Sequence, residues 1–158
     1  MVITQMPEEE CRAFLGSASL GRLGCSRDNQ PYVVPIYFAY EPDFIYALST
    51  LGQKNEWMRA NPKVCLEVDE IANPSEWISV IAVGRYQELP DPQYTAEREH
   101  ARTLLGKRHL WWQNALGERQ ISLGDHAIAP LFFRIHVDSI TGLRATDGSA
   151  ECKKAPEK

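Results

Sequence analysis

Within the stretch STLGQKNEWMRANP, Ser49 to Pro62, two hydroxyls, a glycine and a lysine are spaced as a small anion would need them. Ser49 and Thr50 can donate hydroxyl hydrogens, and Gly52 lets the backbone come close to a ligand. Lys54 opens a short amphipathic segment, where the N-terminus of a helix adds positive potential. Together they suit a terminal phosphate. The same residues fit a plainer arrangement, in which Ser49 and Thr50 end a strand, Lys54 is solvated, and Trp57 and Met58 pack the helix on the rest of the fold. Spacing alone leaves both open.

A second feature is Pro35, inside the apolar run YVVPIYFAY. Proline removes a ladder donor and belongs at a sheet edge or a bulge, so backbone groups beside it would be free for a flat heteroaromatic ring with amide-like edges. Tyr32, Val33 and Val34 would form its wall; an ordinary edge strand is the alternative. Trp77 and Ser79, two apart on a later strand, face the same side. Ser79 could bond a ring edge and Trp77 could stack, although core packing explains the tryptophan equally.

Other chemistries find little support. GSASLGRL spaces Gly16 and Gly21 like a phosphate-binding loop, but Arg22 and Leu23 replace the lysine and hydroxyl that such a loop requires, and no GxGxxG occurs. No GxSxG and no cysteine with an evident histidine partner is present, so no catalytic nucleophile is assigned. Cys11, Cys25, Cys65 and Cys152 are far apart and read as reduced thiols. His100, His109, His126 and His136 form no metal-ligand pattern. Any chemistry would then be carried by a cofactor.

These residues must be positioned by one domain. The 158 residues, 44% of them hydrophobic, suffice for a single core. Seventeen Lys and Arg against 21 Asp and Glu give a net charge of −4 and a pI near 5.6, which argues against nucleic-acid binding through a basic face. No run approaches the roughly 18 apolar residues of a membrane span, and no signal-like start is seen, so a cytoplasmic protein is expected. MPEEECRAFLGS reads as a helix. LGRLGCSR, YVVPIYFAY and FIYALS form a meander across the turns DNQP and EPD. After the 54–61 helix come KVCLEVDE and EWISVIAVGRYQEL, whose Gly84 invites a bulge or close backbone approach. Residues 92–117, including RHLWW, look helical, and LFFRIHVDSITGL alternates Leu131, Phe133, Ile135 and Val137 on one face. Six strands without βαβ alternation predict a closed or nearly closed antiparallel barrel with a few helices over residues 1–146, followed by a disordered tail, 147–158.

In their order, LGRLGCSRDNQPYVVPIYFAY, FIYALSTLGQKNEWMRANPKVCLEVDE, EWISVIAVGRYQEL and ITG resemble the pyridoxamine 5′-phosphate oxidase-like FMN-binding split barrels, particularly the nitroimidazole-resistance branch, over roughly residues 8–145. The resemblance implies a mainly β, six-stranded antiparallel Greek-key-like barrel that pairs into a homodimer with FMN in interfacial clefts. Lys54 would meet the FMN phosphate beside Ser49, Thr50 and Gln53, Tyr32 to Pro35 would line the ring system, Ser79 would contact the ring or ribityl chain, and Trp77 would flank it.

Members that oxidise pyridoxamine phosphate place arginines where this sequence has Gln53 and Tyr32, and their basic C-terminal substrate segment has no counterpart in ECKKAPEK. The departures point away from vitamin B6 oxidation, toward transfer of electrons from NAD(P)H to a small acceptor. Within the same fold, F420 or haem could replace FMN, haem requiring an axial ligand near the cleft. A non-catalytic flavin-binding or sensor protein would use the same residues.

Overall fold

Burial alternates with period two along the central strands, and this turns one face of the sheet into an enclosed core. The computed structural model describes residues 1–107 and 130–148. The chain runs β1 (Val2–Gln5), α1 (Glu8–Ser17), β2 (Leu20–Arg27), β3 (Gln30–Glu41), β4 (Phe44–Ser49), α2 (Gln53–Ala60), β5 (Lys63–Asn73), β6 (Glu76–Glu88), α3 (Thr95–Gly106) and β7 (Leu131–Thr146). The sheet order is β1-β7-β4-β3-β2-β5-β6, and β6 pairs back onto β7, so that six strands close a ring. All pairings are antiparallel.

The fold is the mainly β split barrel expected, with one strand more. The seventh, β1, escaped notice because its four residues are all exposed and carry no buried stripe. It adds to the outer end of β7, with Gln5 opposite Leu143.

Turn chemistry sets the meander. Asp28 and Asn29 adopt positive φ of 50° and 63°, making the two-residue hairpin that leaves Arg27 opposite Gln30. Asp43, at φ 70° after Pro42, turns β3 into β4. In the β6–β7 ladder Val83 faces Ser139 but Gly84 faces Val137, so Asp138 is left over as a bulge. A Cβ on Gly84 would lie 2.2 Å from the carbonyl oxygen of His136. Both expectations for this glycine are met.

Leu23, Phe38, Ile45, Leu66, Val80, Phe133 and Ile135 fill the barrel, each at most 1% exposed. Phe132 points to the other face, where α3 covers it with Ala101 and Leu105 in a smaller second core. The helix expected over 92–117 is Thr95–Gly106; 108–117, including RHLWW, and 149–158 of the expected tail lie outside the described residues. Among the described residues no helix is long and apolar enough to cross a membrane.

Candidate functional site

Gly52 precedes the first turn of α2, and nothing lies within 4 Å of where its Cβ would stand, so the backbone there is open to approach. The N–H groups of Asn55 and Glu56 reach back to the Gly52 carbonyl at 3.0 and 3.3 Å. Those of Gln53 and Lys54 precede the helical ladder and have no acceptor within it. Gln53 is exposed and Lys54 half-buried. The first turn therefore combines an ammonium, a carboxamide and backbone N–H donors at the positive end of a helix.

The turn is held from below. Asn55 is wholly buried; its Oδ1 accepts from Ser49 Oγ at 3.3 Å, and its Nδ2 donates to the Tyr86 hydroxyl at 3.4 Å. Tyr86 donates to Glu88 Oε1 at 2.8 Å, and Arg59, one turn on from Asn55, grips both Glu88 oxygens, with Nη2 3.2 Å from Oε2. Burial, reinforced by the bond to Glu88, pushes the Tyr86 hydroxyl far up, against the opposing bond from Asn55. It stays protonated. Burial would raise the Glu88 carboxyl, but the bonds from Arg59 and Tyr86 outweigh it and hold the group below its ordinary value. The sequence reading gave Asn55, Tyr86, Arg59 and Glu88 no role. A polar Asn55 three residues before the buried Met58, on one helix face, was the available signal.

Lys54 and Tyr32 both neighbour Cys25. Tyr32 lies opposite Cys25 in the β2–β3 ladder, and its ring meets Trp57 edge-on at 5.7 Å. Burial, then Cys65, pushes the Cys25 thiol up, while the charge of Lys54 pulls it the other way. Cys11, Cys25 and Cys65 are free thiols; Cys152 lies outside the described residues. Ser49 is 8% exposed, and its hydroxyl also reaches the Thr50 carbonyl at 2.8 Å. That leaves the half-buried Thr50 as the more accessible hydroxyl.

Pro35 sits at an edge. β3 pairs with β2 through Gln30–Tyr37, whereas β4 joins it only from Phe38 onward. With Arg27 and Gln30 as the hydrogen-bonded pair of a two-residue hairpin, alternation places Pro31, Val33 and Pro35 at positions whose backbone groups face the unpaired side. Pleating then divides the expected wall. Tyr32 and Val34 turn toward the core, and Val33, 65% exposed, turns outward with Pro35.

On that outer face Pro35, Arg22, Glu67 and Ile81 lie in register across four strands. Arg22 bonds Glu67 at 3.2 Å and also Asp69, and Ser79 donates to Glu67 at 2.9 Å. Ser79 thus joins Pro35 and Val33 on the outer face. Trp77 stands further along β6 in a shallow groove of about 210 Å³ with Glu70, Ile78 and Arg144. It pairs with Ile71 on β5 and Ala145 on β7, at the end of the barrel away from Lys63 and Arg85.

The donor set fits a phosphate monoester, and the open β3 edge fits the rim of a planar heterocycle. A profile of the pyridoxamine 5′-phosphate oxidase family matches residues 7–144. The chain belongs to this family. An uncharacterized protein of Rhizobium meliloti is 42% identical over 149 residues, 94% of this chain and 99% of the relative. Among solved structures, a FAD-binding protein of Mesorhizobium loti is similar at 38% identity and a TM-score of 0.75, over 93% of this chain and 99% of that one. A candidate 5-nitroimidazole antibiotic resistance protein of Bacteroides thetaiotaomicron shares the fold at 18% identity and a TM-score of 0.63, over 93% of each chain. The pyridoxamine 5′-phosphate oxidase family and its split barrel thus agree with what the sequence motifs imply.

Proposed function

We propose that this protein binds a flavin, FMN in the first instance, and serves in the cytoplasm as an oxidoreductase between NAD(P)H and a small acceptor. The observation that carries the reading is Lys54 on the first turn of α2, its charge reaching Cys25, the strand neighbour of Tyr32, whose ring packs on Trp57. Family membership and the 38% identical FAD-binding protein support it. FAD contains the FMN moiety, so the same phosphate contact serves either flavin.

Lys54, Thr50, Gln53 and the N–H groups of the first turn of α2 would hold the phosphate. Val33 N–H and C=O and the Pro35 carbonyl would face the ring edge, and Ser79 and Trp77, three strands away across the sheet, would meet such a ring from a second copy of the chain. When bound, the flavin supplies two-electron redox chemistry, and this chain supplies binding, orientation and exclusion of water. No protein base is required.

The outer face favours a cleft completed by a second copy of the chain. Leu20, Val33, Ile81, Val83 and Leu143 are each 40% or more exposed, an apolar surface of the kind that marks an interface. Haem is the weaker alternative: of the described histidines, His100 bonds Glu41 and His136 packs on Phe44 beside Asp138, so neither stands at the α2 corner. F420 also carries a phosphate and would use the same turn.

The deciding experiment is the visible spectrum of freshly purified protein, with mass spectrometry of the molecule that heat releases. Yellow protein releasing FMN supports the reading, and bleaching by NADH or NADPH supports turnover over passive binding. Release of FAD or F420 corrects the cofactor. Colourless protein that fails to bind added FMN, FAD or F420 refutes it.

A further inference from the structure

We infer that Tyr86, through Asn55, is a positioning residue for the phosphate end of α2, so that a side chain touching no ligand sets how tightly a phosphomonoester is held. The inference rests on the phosphate reading above. An eight-residue helix has little stability of its own and takes its place from tertiary contacts. Met58, wholly buried, anchors the middle of α2 by apolar packing. The first turn is anchored differently, by polar bonds.

The direction of the bond between Tyr86 and Asn55 is fixed from the Glu88 side. Tyr86 gives its one hydrogen to Glu88, a carboxylate kept ionised by Arg59, so the phenol oxygen is left to accept from the Asn55 amide. The Asn55 oxygen faces the Ser49 hydroxyl at 3.3 Å, whose single hydrogen is shared with the nearer Thr50 carbonyl at 2.8 Å. The bond from Asn55 Nδ2 to Tyr86 therefore does most to hold this buried amide and its helix turn in one place, and losing it leaves a desolvated polar group. Asn55 adjoins Lys54, so the turn that Tyr86 holds is the one presenting the ammonium.

Tyr86→Phe removes only the hydroxyl; the ring keeps its packing on Phe133, 5.2 Å away. In the full chain, FMN affinity is measured by flavin fluorescence for wild type, Tyr86→Phe, Lys54→Ala and the double variant, with amide hydrogen exchange read over residues 53–56. Tyr86→Phe is expected to weaken FMN about three- to tenfold and to speed exchange in that turn. In the Lys54→Ala background its effect should be clearly smaller than in wild type, because part of it runs through the Lys54 contact. Asn55→Ala, which removes the same link from the other side, should reproduce the pattern. Losses that multiply independently, or exchange and affinity that stay at wild-type values in Tyr86→Phe, would overturn the inference. Wild-type protein that binds no FMN overturns the phosphate reading and this inference with it, before any variant is compared.

Discussion

Replacing Lys54 by alanine isolates the phosphate contact. A hydrogen bond involving a charged group contributes on the order of 1.5–3 kcal/mol. Lys54 is half-buried rather than enclosed, so water and salt screen it and the lower end applies, about 1.5 kcal/mol or roughly a tenfold rise in Kd. The first-turn N–H groups of α2 and the Thr50 hydroxyl remain, which keeps binding measurable. The fold should be indifferent, since Met58 and Asn55 supply the buried face of α2 and alanine favours helix. Fluorescence titration with FMN and with riboflavin, at low and high salt, reads the contact directly. FMN affinity should fall about tenfold at low salt and less at high salt, with riboflavin unchanged. An equal loss for riboflavin, which lacks the phosphate, would refute the placement of Lys54, as would wild-type affinity for FMN.

Further outcomes follow from other parts of the molecule. Phe133→Ala opens a void at a position with no exposed surface and should cost about 3–5 kcal/mol in denaturant unfolding; a loss below about 1 kcal/mol would mean that the barrel interior is not packed as described. Glu88 has a folded-state pKa below its ordinary 4.5, so its contribution is present above that value and lost as pH falls toward the folded pKa. Glu88→Gln should therefore flatten the acid limb of stability below about pH 4.5, and an unchanged limb would contradict the Arg59 and Tyr86 contacts. Val83→Asp, on the exposed outer face, should shift flavin-loaded protein toward monomer in sedimentation. A wild type that is monomeric with flavin present would remove the shared cleft.

The barrel was legible because its strands announce themselves twice, by alternation and by turn chemistry. Leu20–Arg27 and Phe44–Ser49 were read to their ends, since Asp28–Asn29 and Pro42–Asp43 punctuate them. Gly84 signalled a close approach that only a residue without Cβ can make. Val2–Gln5 was not legible, as its pairing depends on residues some 140 positions away and nothing local marks it. In the site, Lys54 could be placed at a helix start from spacing alone. The partition of Tyr32, Val33, Val34 and Pro35 between two faces follows from pleating and could have been drawn. The Tyr86–Glu88 support beneath Asn55 could not, since it joins segments about 30 residues apart.

β7 runs for 16 residues and pairs with β4, β6 and β1. It is the last strand along the described chain, yet it completes the ring at two seams. A ribosome that has released everything through α3 has therefore produced only an open sheet, whose β4 and β6 edges wait for the same late segment. The barrel closes only after Leu131–Thr146 has emerged. Such long-range pairing places this protein among slow folders, with two template-ready edges exposed in the interval. Truncation before β7 should leave an aggregation-prone chain rather than a smaller barrel.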